Sequence, residues 1–166
     1  KIDASEGLDV YLTKSTSSAV KVQADDNIQE FIITNSKSIS GLAFSGSPFP
    51  SVKIKDLIQQ IESRNKAAHK LPTWFLNDAI YYPPKLNLEQ TSSEITAKYK
   101  ATLVKGNVMA DITGGFGVDS FYFSKHFTAV THYERDECLS AIATHNFKQL
   151  KKSNITKQKH HENIQA

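Results

Sequence analysis

Asp111-Ile112-Thr113-Gly114-Gly115-Phe116-Gly117-Val118-Asp119 is the stretch on which the fold turns. Val108-Met109-Ala110, a short apolar run, precedes it and predicts a strand. Residues 119–127 follow and predict a helix carrying Phe121, Tyr122 and Phe123. Glycines suit a tight strand-to-helix turn because they reach positive φ without a Cβ clash. A turn without Cβ atoms lets a ligand approach the backbone. The helix start then offers free N–H groups and the positive end of the helix dipole to an anionic group.

Further on, Ala129-Val130-Thr131-His132-Tyr133 predicts a second strand. Leu139, Ile142, Ala143, Phe147 and Leu150 give a second helix its apolar face. This strand–helix–strand–helix order predicts α/β architecture with a parallel sheet and crossover helices. Glu134 closes the second strand, 17 residues after Gly117. A carboxylate there can accept hydrogen bonds from both hydroxyls of an adenosine ribose. A dinucleotide fingerprint would require a third glycine, but Gly115-Phe116-Gly117 is followed by Val118-Asp119-Ser120. Asp111 ends the first strand instead. An acid there suits a cationic amino-acid head and repels a pyrophosphate, so S-adenosylmethionine is preferred to NAD.

Upstream, residues 27–104 read as mainly helical. Asn27 can cap a short helix running through Glu30 and Ile33, and Ser45-Gly46-Ser47-Pro48-Phe49-Pro50 reads as a loop. Ile54, Leu57, Ile58 and Ile61 repeat as one face of an amphipathic helix, in a region that Pro72 ends. Trp74, Phe75, Tyr81 and Tyr82 form an aromatic connection that Pro83-Pro84 keep extended. Thr91-Ser92-Ser93-Glu94 has the form of a capping box with Thr91 as N-cap. Ile95, Tyr99 and Leu103 then line one helix face. Residues 1–26 predict a β hairpin, with Leu8, Val10 and Leu12 alternating before a polar turn and Val20 and Val22 after it. The chain thus divides into a hairpin segment at 1–26, a helical region at 27–104 and a partial cofactor-binding unit at 105–166.

The 166 residues include one cysteine, which excludes an intramolecular disulfide and a multi-cysteine zinc site. Asp136 and Glu137 beside Cys138 argue against a reactive thiolate. No apolar run approaches the roughly 20 residues of a membrane helix, no signal peptide is visible, and a reducing cytoplasm fits. Residues 151–166 hold four lysines and one glutamate, so they carry the whole net charge of +3. Such a tail reads as a solvated end or as an attractor of nucleic acid. His160-His161 reads as a solvated pair rather than a metal site, since neighbours on a strand face opposite ways.

Asp111-x-Thr113-Gly114-Gly115-x-Gly117-x-Asp119 resembles motif I of class I methyltransferases, and Tyr133-Glu134-Arg135 resembles motif II. The pair is similar to a subset of ribosomal RNA guanine-N2 methyltransferases. Residues 27–150 resemble a bacterial methyltransferase family, common in Bacteroidetes, that carries a THUMP-like C-terminal domain. Lys70-Leu71-Pro72-Thr73-Trp74, Tyr82-Pro83, Glu89 to Glu94, Thr96 to Lys100, and His145-Asn146-Phe147 carry the likeness. The resemblance implies an incomplete Rossmann-like methyltransferase unit, S-adenosylmethionine as cofactor and an RNA base as methyl acceptor. It also implies site residues. Asp111, Gly115 and Gly117 would surround the methionine part, within a motif that includes Thr113 and Gly114. Val118-Asp119 would contact the amino acid and Glu134-Arg135 the ribose, and the Ser92–Glu94 region would cover the cofactor's carboxylate.

Two departures accompany the likeness. The family's Asp-Pro-containing motif, which holds the target base, is absent, so no catalytic residue can be named. Lys157-Gln158-Lys159-His160-His161 is too polar for a buried third strand, so the chain reads as cut off or diverted near Ile155. Residues 2–26 resemble instead the first strands of a bacterial surface domain of the head-GIN, adhesin-like type. The expectation is a truncated or fused frame. A non-catalytic interaction protein with a vestigial turn is the alternative, and an oxidoreductase fragment the third reading. Asp119 also suits a simple helix-start charge, Arg135 a surface charge, and the aromatics 74–82 packing rather than base stacking.

Overall fold

The computed structural model describes residues 26–37, 39–50 and 52–159. The hairpin expected in residues 1–26 lies outside them, apart from Asp26, and so do His160 and His161. Six helices come first: α1 (Asp26–Thr34), α2 (Ile39–Ser45), α3 (Ile54–Lys70), α4 (Pro72–Phe75), α5 (Lys85–Gln90) and α6 (Glu94–Thr102). Then β1 (Val108–Asp111), α7 (Val118–Phe123), β2 (Ala129–Glu134), α8 (Glu137–Gln149) and β3 (Ile155–Lys159) alternate. The result is a mixed α/β arrangement around a three-stranded sheet in the order β1-β2-β3.

All pairings in the sheet are parallel, with Val108 opposite Ala129 and Val130 opposite Ile155. Parallel neighbours need crossovers, which α7 and α8 supply. Both helices cover the face to which His132 points, since its ring meets Ser120 of α7 and Phe147 of α8. Residues 155–159 are a strand after all, contrary to the expectation from their polarity. They form an edge strand whose Thr156, Lys157 and Gln158 side chains are exposed. An edge strand needs only backbone pairing on one side, so polar side chains do not oppose it.

The core has two parts. The smaller joins α1, α2 and the first half of α3 through Ile28, Ile32, Leu42, Leu57 and Ile61. Full burial of each such side chain contributes about 1.5–3 kcal/mol. Pro72 takes the first turn of α4, where its missing N–H is not needed. The larger core runs from Ala67 through Trp74 and Tyr82 to Phe116, Phe121, Ile142 and Phe147, and so takes residues from both sides of residue 104. Trp74 lies edge-on to Phe121 at 4.7 Å between ring centres, which gives the aromatic connection its packing role.

The Tyr81-Tyr82 stretch is buried and belongs to no helix or strand. Its polar backbone atoms still need partners. Two side-chain amides supply them. Gln60 of α3 accepts from Tyr82 N at 2.9 Å and donates to Tyr82 O at 2.6 Å. Asn146 of α8 accepts from Tyr81 N at 3.0 Å and donates to Tyr81 O at 2.8 Å. His145 adds a bond of 2.8 Å to Ala79 O, and burial of the ring pushes its pKa down.

Helix α6 departs from the sequence reading twice. Its N-cap is Ser93, whose hydroxyl accepts from Thr96 N, and not Thr91. The buried face is Glu94, Ala97 and Ala101, while Ile95, Tyr99 and Leu103 are exposed. Small alanines let α6 approach α7 closely. Glu94 is satisfied inside by the backbone N–H and hydroxyl of Thr73 and by the Tyr122 hydroxyl. A fully bonded carboxylate can therefore occupy the side that apolar spacing assigned to solvent.

Candidate functional site

The strand β1 ends at Asp111, and the chain turns through Thr113–Gly117 into α7. Gly115 at φ +54° and Gly117 at φ +88° occupy the left-handed region that glycine tolerates best. Gly114 donates to Tyr133 O at 2.9 Å and Gly117 to Gly114 O at 2.8 Å, so the turn is closed on itself and on β2. Two glycines also make room. A Cβ on Gly114 would lie 2.2 Å from the His132 ring, and one on Gly117 would lie 2.5 Å from Phe147.

Glu134 reaches across from the end of β2. One oxygen accepts from Gly115 N at 2.9 Å and the other from Asp136 N at 2.7 Å. Each carboxylate oxygen retains acceptor capacity beyond its single bond. Asp136 caps α8 by accepting from Cys138 N and Leu139 N. Burial and then Asp136 push the Cys138 thiol pKa up, which suppresses its thiolate.

Asp111 supports the turn from beneath. Its oxygens accept from Thr113 N at 3.3 Å and from Ser120 Oγ at 2.6 Å. Ser120 has spent its proton on Asp111, so it accepts from His132 Nδ1–H at 3.0 Å. His132 is fully buried, Nε2 has no partner, and burial holds its pKa below the ordinary histidine value.

Above the turn opens a cleft of about 750 Å³. Thr113, Gly114, Gly115, Asp119, Glu134 and Arg135 line it, together with Phe116, Asp136 and Leu139. Six of the nine residues singled out in the sequence therefore share one cavity. Asp111, Gly117 and Val118 do not line it: Asp111 and Val118 are buried, and Gly117 packs on Phe147. The opposite wall comes from the helical half, with Asn87, Gln90, Thr91, Ser92 and Lys100. Lys100 Nζ donates to Ser92 Oγ at 2.8 Å and to Asp119 Oδ2 at 2.9 Å, and Ser92 donates to the same oxygen. Asp119 Oδ1 is buried and without a partner. Lys100 belongs to the stretch Thr96 to Lys100 that carries the family likeness, but its pairing with Asp119 had no local signal, because only the packing of α6 on α7 brings the two together.

Among the described residues, no group of three or more His, Cys, Asp or Glu side chains is placed to hold a metal ion. None of their helices is long and apolar enough to cross a membrane.

No protein-family model and no curated protein matches the chain. A solved structure does. It is described as a candidate methyltransferase from Porphyromonas gingivalis W83, with 25% identity and a TM-score of 0.68. The match covers 80% of this chain and 33% of that one. The fold is methyltransferase-like. The chain spans about a third of the length of its structural relative.

Proposed function

We propose that this chain forms the cofactor-binding part of an S-adenosylmethionine-dependent methyltransferase that acts on an RNA base. The observation that carries the reading is the bond between Gly115 N and Glu134. It sets the Glu134 carboxylate beside a glycine turn in the lining of one cleft, an arrangement that supports a ribose-binding role. The donors and acceptors in that cleft fit the cofactor. Glu134 has spare lone pairs for the ribose hydroxyls. The Asp119 carboxylate in the cleft lining suits the ammonium of the methionine part, and Lys100 with Ser92 suits its carboxylate. The cofactor supplies a methyl group on a sulfonium. The protein's part is to orient it and to exclude water, with Asp111 and Ser120 keeping the turn in place.

RNA as acceptor rests on the family resemblance of the sequence alone. An oxidoreductase is disfavoured by the missing third glycine.

Calorimetric titration with S-adenosylhomocysteine, with NAD in parallel, tests the reading. Micromolar binding of the former alone is expected. Gly115→Val should abolish it, because a β-branched residue resists φ +54° and Gly115 lines the cleft. Absence of binding by the folded chain would overturn the proposal.

A further inference from the structure

We propose that the groove between α8 and β3 holds the phosphate backbone of single-stranded RNA. This deepens the reading above and rests on it for the choice of RNA. The groove itself stands on other residues, since it shares none with the cofactor cleft.

Lys148, Lys152 and Lys157 line a cavity of about 230 Å³, with the hydroxyl-bearing Thr144 and Ser153 between them. Phe147 and Ile155 make its floor. Lys125 adds a fourth cation at one end. Its Nζ lies 4.9 Å from the centre of the Phe121 ring, and Lys152 Nζ lies 5.1 Å from the same ring. Two ammonium groups thus lie against one aromatic ring. Burial lowers the pKa of Lys152, and Lys125 lowers it further.

Nothing described neutralises these charges. The ion pairs among the described residues engage Arg64, Lys66, Lys98 and Lys100, and none engages the groove lysines or Lys125. From Leu139 to Lys159 the sequence holds five lysines and no Asp or Glu. Converging, uncompensated cations around a concave surface are the electrostatic footprint of a polyanion. Exposed large apolar residues are absent from the lining, which leaves nothing to insert into a bilayer. A groove walled by three ammonium groups and the Ser153 hydroxyl suits a single phosphodiester strand. Lys148 lies about 18 Å along the axis of α8 from Asp136 at the cofactor cleft, by helical rise. A strand in the groove therefore reaches the neighbourhood of the cleft within a few nucleotides.

The test is fluorescence anisotropy of the full chain with a labelled single-stranded RNA oligonucleotide, without cofactor, between about 50 and 200 mM salt. Each neutralised phosphate contributes about −0.7 to the slope of log K against log salt. Lys148→Gln/Lys152→Gln/Lys157→Gln should flatten that slope by about 2. Lys37→Gln/Lys53→Gln/Lys55→Gln makes the same charge change on exposed lysines of the helical half and should leave the slope alone. Lys157→Gln by itself, at an exposed position on the edge strand, should remove about 0.7 and serves if the triple variant does not fold. Equal loss in both triple variants, no RNA binding, or binding to phosphatidylserine vesicles in place of RNA would each overturn the proposal. Titration of the groove variant with S-adenosylhomocysteine reads the cofactor cleft separately, so failure of one reading does not pass for failure of the other.

Discussion

Gly114→Ala isolates the contact between the glycine turn and the buried histidine. The φ of Gly114 is not positive, so alanine meets no backbone penalty there. The cost is steric. The new Cβ would lie 2.2 Å from His132 Cε1 and Nδ1 and 2.8 Å from Nε2. Carbon contacts settle near 3.5–4.0 Å, so the ring must move by roughly 1.3 Å or more. It has little freedom to do so. His132 is fully buried, lies edge-on to Phe147 at 5.3 Å, and donates to Ser120 at 3.0 Å. Overpacking costs about 1–3 kcal/mol, and loss of the Ser120 bond adds about 0.5–1.5 kcal/mol. Their sum is about 1.5–4.5 kcal/mol, which at about 2 kcal/mol per M of urea lowers the midpoint by roughly 1–2 M. His132→Ala removes the obstacle. In that background Gly114→Ala should cost less than about 1 kcal/mol, a coupling of roughly 2 kcal/mol in a double-mutant cycle. The same penalty in both backgrounds would refute the reasoning.

Acid should destabilise the fold through His132 and His145, the two buried histidines among the described residues. Their folded pKa values lie below the ordinary value, so the unfolded chain binds protons first as the pH falls. Their contribution is complete above about pH 6.5. It is lost below that at up to about 1.4 kcal/mol per pH unit for each ring. His145→Gln should halve the slope between about pH 6.5 and 5, and an unchanged slope in urea unfolding would contradict it. Tyr122→Phe removes the 2.7 Å bond from the phenol to Glu94; burial, and after it this bond, raises the Tyr122 pKa to about 12. A hydrogen bond to a buried charged group contributes about 1.5–3 kcal/mol. The thermal midpoint should fall by roughly 3–12 °C; no fall would show that Thr73 and Lys98 satisfy Glu94 without the phenol.

The sheet half was legible because its signals are local. Short apolar strands, a glycine turn and the stripe of Leu139, Ile142, Ala143 and Phe147 each lie within a few residues. Six of the nine chosen residues reached the cleft for the same reason: the turn and the end of β2 are neighbours in any parallel pair. The helical half hid more. The spacing of Ile95, Tyr99 and Leu103 predicts a buried face, but three hydrogen bonds to Glu94 from two partner residues, and two alanines, put the opposite face inside. Those partners, Thr73 and Tyr122, lie 21 and 28 residues from Glu94. Lys100 is likewise 19 residues from Asp119. Local patterning cannot announce a charge whose partner arrives through tertiary packing. The polarity of residues 155–159 misled in the opposite direction, because pairing on an edge is made by backbone.

The held stretch at Tyr81-Tyr82 gives the molecule a built-in reporter of its own breathing. Those two amide protons belong to no helix or sheet, yet each is locked to a side chain from a different half of the structure. Solvent can reach Tyr81 N only when α8 draws away, and Tyr82 N only when α3 does. Their hydrogen-exchange rates therefore measure opening of the seam between the halves, one side at a time. Equal rates mean that the seam opens as a unit, and unequal rates show which helix leaves first.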